Sequence, residues 1–237
     1  MTYLTLSEPV ASVAPDSPPA IASYLYGLFG ESFNYPDDEL VLMLKSGNLC
    51  RIMEELLPRL HPEVTTGVDL SGLVDKSADL ETLSIEYTRL FDANSKGTAC
   101  PLNGGLYSGS QMKFMEESVR FYDHFGLTLA EQDKELPDHL ATQLNFLHFL
   151  SYVEADLLRA GLDAAAYQKA QRDFIARHPG RWLPRMVEKL AAANSVDFFQ
   201  TLSILLLRLL QHEQARLECL HGKASLEMKS DLGFLGH

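Results

Sequence analysis

Asp138 and His139 stand side by side where a polar connector gives way to a strongly apolar run. A carboxylate beside an imidazole can move a proton, help hold a metal ion, or grip a guanidinium group in a bidentate pair. The first two need further members, and the sequence offers few. His148 lies about two and a half helical turns after His139, so the two rings face different ways. His212-Glu213 lacks the second histidine of a zinc-protease helix, and no phosphate-binding glycine loop or nucleophile elbow occurs. Cys100-Pro101 could be a reactive thiol or a haem-regulatory dipeptide, but no basic side chain stands beside it to activate the sulfur. Glu116 and Glu117 are adjacent, so on a helix they point apart. The residues therefore lean towards a binding protein with no prosthetic group. A metal- or haem-binding protein using Cys100 and histidines, and a purely structural helical adaptor, are the alternatives.

The elements that must position this pair read as helices. Leu140, Leu144 and Leu147 form one apolar stripe, and Phe146, Phe149, Leu150 and Val153 form a second beside it. A helix apolar on two sides is buried between neighbours. The pattern predicts a central post from Pro137 to about Ala160, with Pro137 and Asp138 in its first turn. Before it, helices are expected over Pro18–Phe33, from Pro36 to the Gly47-Asn48 break, and on to Leu60. Another runs from a Ser77 cap to Phe91, and one from Ser110 to Phe125 with Gly126 closing it. After it come a helix capped by Asp163 and a His178-Pro179-Gly180 turn. A short helix from Arg181 follows, with Pro184 in its first turn, then a long one capped by Ser195. No stretch reads as a strand or hairpin. The fold class expected is all-α: one domain of about nine helices over residues 18–222. A loose tail over 1–17, a frayed one over 223–237 and a hinge at 127–136 complete the organisation.

Charge narrows the partners. The net charge is −12. Residues 1–139 carry 9 Lys+Arg against 22 Asp+Glu, whereas residues 140–237 carry 11 against 10. Nucleic acid is a poor partner for such a chain, and a basic segment is a good one. The three cysteines are far apart and match neither a disulfide framework nor a zinc spacing, which fits a reducing compartment. No Lys or Arg precedes Lys45, so no export signal is expected. The apolar run Leu202–Leu210 is far shorter than the ~20 residues of a spanning helix.

Glu86-Tyr87-Thr88-Arg89-Leu90-Phe91, then Cys100-Pro101, then Pro137-Asp138-His139-Leu140 occur in an order and spacing that resemble the TorD/DmsD/NarJ family of redox enzyme maturation chaperones. Tyr24 to Phe29, Phe33 to Pro36, and Phe174 to His178 followed by Trp182 extend the likeness over about residues 20–210. Phe121 to Leu127 and Pro137 to Leu144 look most like the chaperones of type II dimethyl sulfoxide reductase-like molybdoenzymes. One departure is clear. Where many members carry an acid after the loop proline, this chain has Pro101-Leu102-Asn103-Gly104-Gly105-Leu106-Tyr107. The resemblance implies a cytoplasmic, all-helical, non-enzymatic chaperone. Its partner would be a molybdopterin-containing catalytic subunit, through that subunit's twin-arginine signal peptide and its apo form. Cofactor insertion would be assisted and premature export prevented. The chaperone would be a monomer or a domain-swapped dimer hinged at 127–136. Implied binding residues are Glu86, Leu90, Phe91, Pro101, Tyr107, Pro137, Asp138, His139 and Gln143. In this reading Asp138 and Glu86 face the arginines, and the apolar members line a groove.

Overall fold

The computed structural model describes residues 16–92, 98–129 and 136–226, together with the backbone of Thr2–Tyr3. Most of the expected 1–17 tail, much of the 127–136 hinge and residues 227–237 lie outside the described residues. Among those described there are nine α-helices: α1 (Pro18–Ser32), α2 (Asp38–Ser46), α3 (Asn48–Leu60), α4 (Leu80–Phe91), α5 (Gln111–His124), α6 (Leu140–Arg159), α7 (Ala165–Arg177), α8 (Pro179–Ala192) and α9 (Asp197–His221). The protein is all-α, as its periodicity predicts. No helix among the described residues is long and apolar enough to cross a membrane.

The post is real. Leu140, Leu144, Leu147, Phe146 and Leu150 of α6 are all completely buried. Its most extensive partner is α1. Two glycines let these helices approach closely: a Cβ on Gly30 would stand 3.2 Å from the Asn145 amide oxygen, and one on Gly27 would stand 3.4 Å from the His148 ring. Ser23 and His148 join the two helices by hydrogen bonds at 3.0 and 2.8 Å inside the interface. On the other side, α7, α8 and α9 pack against one another, and α7 closes against α6.

Several boundaries differ from the sequence expectation, each for a local reason. Asp79 rather than Ser77 caps α4, accepting from Thr82 N at 2.8 Å, because Ser77 is engaged by Asp75. Ser195 does not cap α9. Val196 holds that position, and its N–H donates to Glu86 of α4 at 3.2 Å. α8 begins at Pro179, which absorbs the expected turn and leaves Pro184 inside the helix. A two-residue parallel pair, β1 (Thr2–Tyr3) with β2 (Leu127–Thr128), corrects the expectation of no strand. Pro137 and Asp138 lie before the post rather than in its first turn, and His139 is the N-cap.

Candidate functional site

Residues 98–110 form a loop that folds over the start of α6. Its backbone pairs with the approach to the helix: Gly104 N–H donates to Asp138 O at 2.9 Å, and Leu140 N–H donates to Leu102 O at 2.8 Å. Asn103 and His139 thus face each other as an isolated antiparallel bridge. At its other end the loop is tied to α4 by Cys100 N–H donating to Leu90 O at 2.8 Å.

Asp138 is the centre of this clamp and is 0% exposed. One carboxylate oxygen accepts from the Asn103 amide at 2.9 Å, and the other accepts from Gly105 N–H at 3.0 Å. Its backbone carbonyl also accepts from Gln143 Nε2 at 2.8 Å. Gln143 Oε1 in turn accepts from the indole N–H of Trp182, at 3.2 Å. The glycine pair is required by contact. A Cβ on Gly105 would lie 2.7 Å from the Asp138 carboxylate, and one on Gly104 would lie 2.5 Å from the Trp182 nitrogen. Tyr107 completes the layer by stacking on Trp182 at 5.2 Å, with its hydroxyl donating to Pro101 O at 3.0 Å. Burial raises the Tyr107 phenol well above its ordinary pKa, so it stays a donor. Pro137 O accepts from the buried Tyr122 hydroxyl at 2.7 Å.

His139 caps α6 through Nδ1, which accepts from Ala141 N–H at 3.3 Å. Only a neutral ring has that lone pair. Burial pushes the ring down to about 4, against the opposing pull of Asp138 and Asp92. The cap and the titration agree.

Six of the nine expected residues are therefore brought together: Pro101, Tyr107, Pro137, Asp138, His139 and Gln143. Their expected chemistry is corrected, because the Asp138 carboxylate points inward and both its oxygens hold the loop. It does not form a rim facing a guanidinium. The other three lie on α4, to which the loop is tied through the Leu90 carbonyl. Leu90 is completely buried, and Phe91 packs edge-on against Phe33, Tyr87 and Phe199, so both are core residues rather than groove walls. Glu86 pairs with Arg89 at 2.6 Å, and hydrogen bonding from Arg89 holds its carboxyl below the ordinary range. Arg89 also donates to Ala193 O at 3.2 Å, so the pair pins α4 to the α8–α9 turn. The clamp's partners Asn103, Gly105 and Trp182 were not among the expected residues. The Gly104-Gly105 doublet was the one sequence signal that could have found them.

The outside of the clamp is apolar and basic. Leu106, Met112 and Leu136 are exposed on the three segments that meet there. Arg185 donates to Tyr107 O at 3.0 Å, and the Lys189 ammonium stands 4.9 Å over the Tyr107 ring. Among the described residues no three His, Cys, Asp or Glu side chains are grouped to hold a metal.

Comparisons with known proteins identify the relatives of this chain. Residues 48–188 match the family model described as nitrate reductase delta subunit. The selenate reductase assembly chaperone protein of Thauera selenatis is 34% identical over 187 residues, covering 76% of this chain and 81% of that protein. The chlorate reductase assembly chaperone protein of Ideonella dechloratans is 37% identical over 127 residues, 53% of this chain and 66% of that protein. The perchlorate reductase assembly chaperone protein of Dechloromonas aromatica (strain RCB) is 28% identical over 184 residues, 76% and 82% of the two chains. The chain belongs to the nitrate reductase delta subunit family, the TorD/NarJ family of redox enzyme maturation proteins, whose members are chaperones rather than catalysts.

Proposed function

We propose that this protein is the dedicated cytoplasmic chaperone of one molybdopterin oxidoreductase catalytic subunit. It binds the apo form of that subunit and its twin-arginine signal peptide. While bound, it assists cofactor insertion and holds the subunit back from export. The observation that carries the reading is the similarity to the selenate reductase assembly chaperone protein along 81% of that protein's length. Physical features support it. Leu106, Met112 and Leu136 give an apolar contact surface on a rigid clamp, and the acidic half of the chain suits a basic segment.

The test is co-purification from the native host. The tagged chain should capture the precursor of a molybdopterin catalytic subunit, free of cofactor, and release it once the cofactor is inserted. A strain lacking the chain should accumulate a cofactor-free, inactive subunit. A subunit that acquires its cofactor and is exported normally in that strain overturns the reading.

A further inference from the structure

Both ends of α2 are tied to α4 or to the chain that leads into it. Tyr35, just before α2, packs its ring 5.3 Å from Tyr87, two turns into α4. At the other end, Asp75 N–H donates to Leu44 O at 3.2 Å, and Lys45 lies near enough to influence Asp79. Between these ties the pair leaves large apolar side chains in water: Leu42 is 65% exposed, Ile85 63% and Tyr35 57%. Val196, whose N–H is joined to α4 through Glu86, is 40% exposed. Isolated exposed apolar residues need no explanation, but a group on two neighbouring helices marks a contact surface.

Charge selects the occupant. Glu31, Asp37, Asp38, Glu39, Asp75, Asp79 and Glu81, on or flanking these helices in the chain, are all exposed. The basic members of the same surface are Lys45, Lys76 and Arg89, and Arg89 is held by Glu86. Near the clamp the balance is reversed, with Arg181, Arg185 and Lys189 exposed along α8 and Lys113 on α5, against Glu188 and Glu116 on the same helices. The acidic excess on and beside α2 and α4 favours a cationic segment there over the clamp.

We infer that the outer surface of the α2–α4 pair is the docking site for the cationic, apolar-flanked segment of the client. This rests on the chaperone reading above and moves the arginine contact away from Asp138.

The probe is a labelled peptide with two adjacent arginines followed by an apolar run, measured by fluorescence anisotropy against the full chain. A control peptide carries glutamates in place of the arginines. The parent should bind the first and not the second. Glu39→Lys with Glu81→Lys should weaken binding by about tenfold or more and reduce its salt dependence. The milder Glu39→Gln with Glu81→Gln should weaken it less, and Leu42→Ser with Ile85→Ser should weaken it without changing the salt slope. Circular dichroism confirms that each variant is folded. If the parent binds and all three pairs of substitutions bind equally well, this surface is overturned and the chaperone reading stands. If the parent binds neither peptide, the signal-peptide reading falls and this inference falls with it.

Discussion

The clamp around Asp138 and the α2–α4 surface are opposites in how they treat polar and apolar groups. In the clamp, the Asp138 carboxylate, the Gln143 amide and the Trp182 indole are buried, and with half-buried Asn103 they are held in one hydrogen-bonded network. On α2 and α4, large apolar side chains stand in water in the company of exposed carboxylates, several of which also cap helices or turns. The first arrangement fixes a loop at a cost in desolvation that only complete hydrogen bonding offsets. The second leaves binding potential unused. A carboxylate's role therefore follows from where its oxygens go rather than from the motif it occupies. Asp138 belongs to the most conspicuous motif in the chain and has both oxygens engaged inside the fold, whereas Glu39 and Glu81 are exposed.

Removing the centre of the clamp tests this most strongly. Asp138→Ala leaves the Asn103 amide and the Gly105 N–H without acceptors in a dry site, and should cost about 3–5 kcal/mol. The fall in urea midpoint measures it. If Asp138→Ala leaves stability within about 0.5 kcal/mol of the parent, a range usual for surface changes, the carboxylate is not holding the loop and the contrast fails.

Acid should loosen the clamp next. The His139 ring titrates near 6.5 when unfolded and near 4 when folded. Between those values the unfolded chain binds more protons, so stability is full above about 6.5 and falls as pH drops. For His139 alone the loss approaches about 3 kcal/mol by pH 4. His178, pushed by burial and by Arg177 and Arg181 to about 3, acts in the same direction. So does Glu213, where hydrogen bonds from His61 and Arg216 outweigh burial and hold the carboxyl low. His139→Asn separates the contributions, because asparagine is a good N-cap and does not titrate. It should flatten the stability profile between pH 6.5 and 4 by up to one proton's slope. An unchanged profile would show that the ring is not neutral in the fold.

Trp182→Phe should have a smaller effect. It keeps an aromatic surface for Tyr107 but withdraws the donor to Gln143 Oε1, which is then buried without it, a loss of about 2 kcal/mol. Faster amide hydrogen exchange at Gly105 would show that the loss reaches the loop through Gln143. Unchanged exchange there would separate Trp182 from the clamp.

How much of this was legible in the sequence depends on the distance between partners. The post was legible because its stripes repeat within one helix, and Leu140, Leu144 and Phe146 are buried as the spacing demands. The caps were legible only where a local acceptor acts. Asp163 holds Ala165 N–H at the start of α7, but α9 takes its acceptor from Glu86, on a helix far away in sequence. The role of Asp138 was hidden for the same reason. Proline followed by aspartate at the head of an apolar run reads as a helix start, and its partners Asn103 and Gly105 belong to a loop with no periodicity. Leu90 and Phe91 were read as groove residues from the family resemblance, while their own helical spacing already placed them in the core.

The smallest stability effect is expected on the open side, and there the absence of a change is informative. Leu42 and Ile85 have most of their surface in water, so truncation removes little buried contact. Leu42→Ser and Ile85→Ser should each shift stability by no more than about 0.5 kcal/mol. The same substitutions should measurably weaken capture of the cationic peptide. Asp138→Asn, which keeps one acceptor oxygen and lies away from that surface, should lower stability while leaving peptide affinity in the folded protein near that of the parent. The two measurements thus cross: stability responds at the clamp and affinity responds at α2–α4. If Asp138→Asn lowers affinity as much as Ile85→Ser does, while the protein remains folded, the two regions form one site and the distinction between scaffold and docking surface is lost.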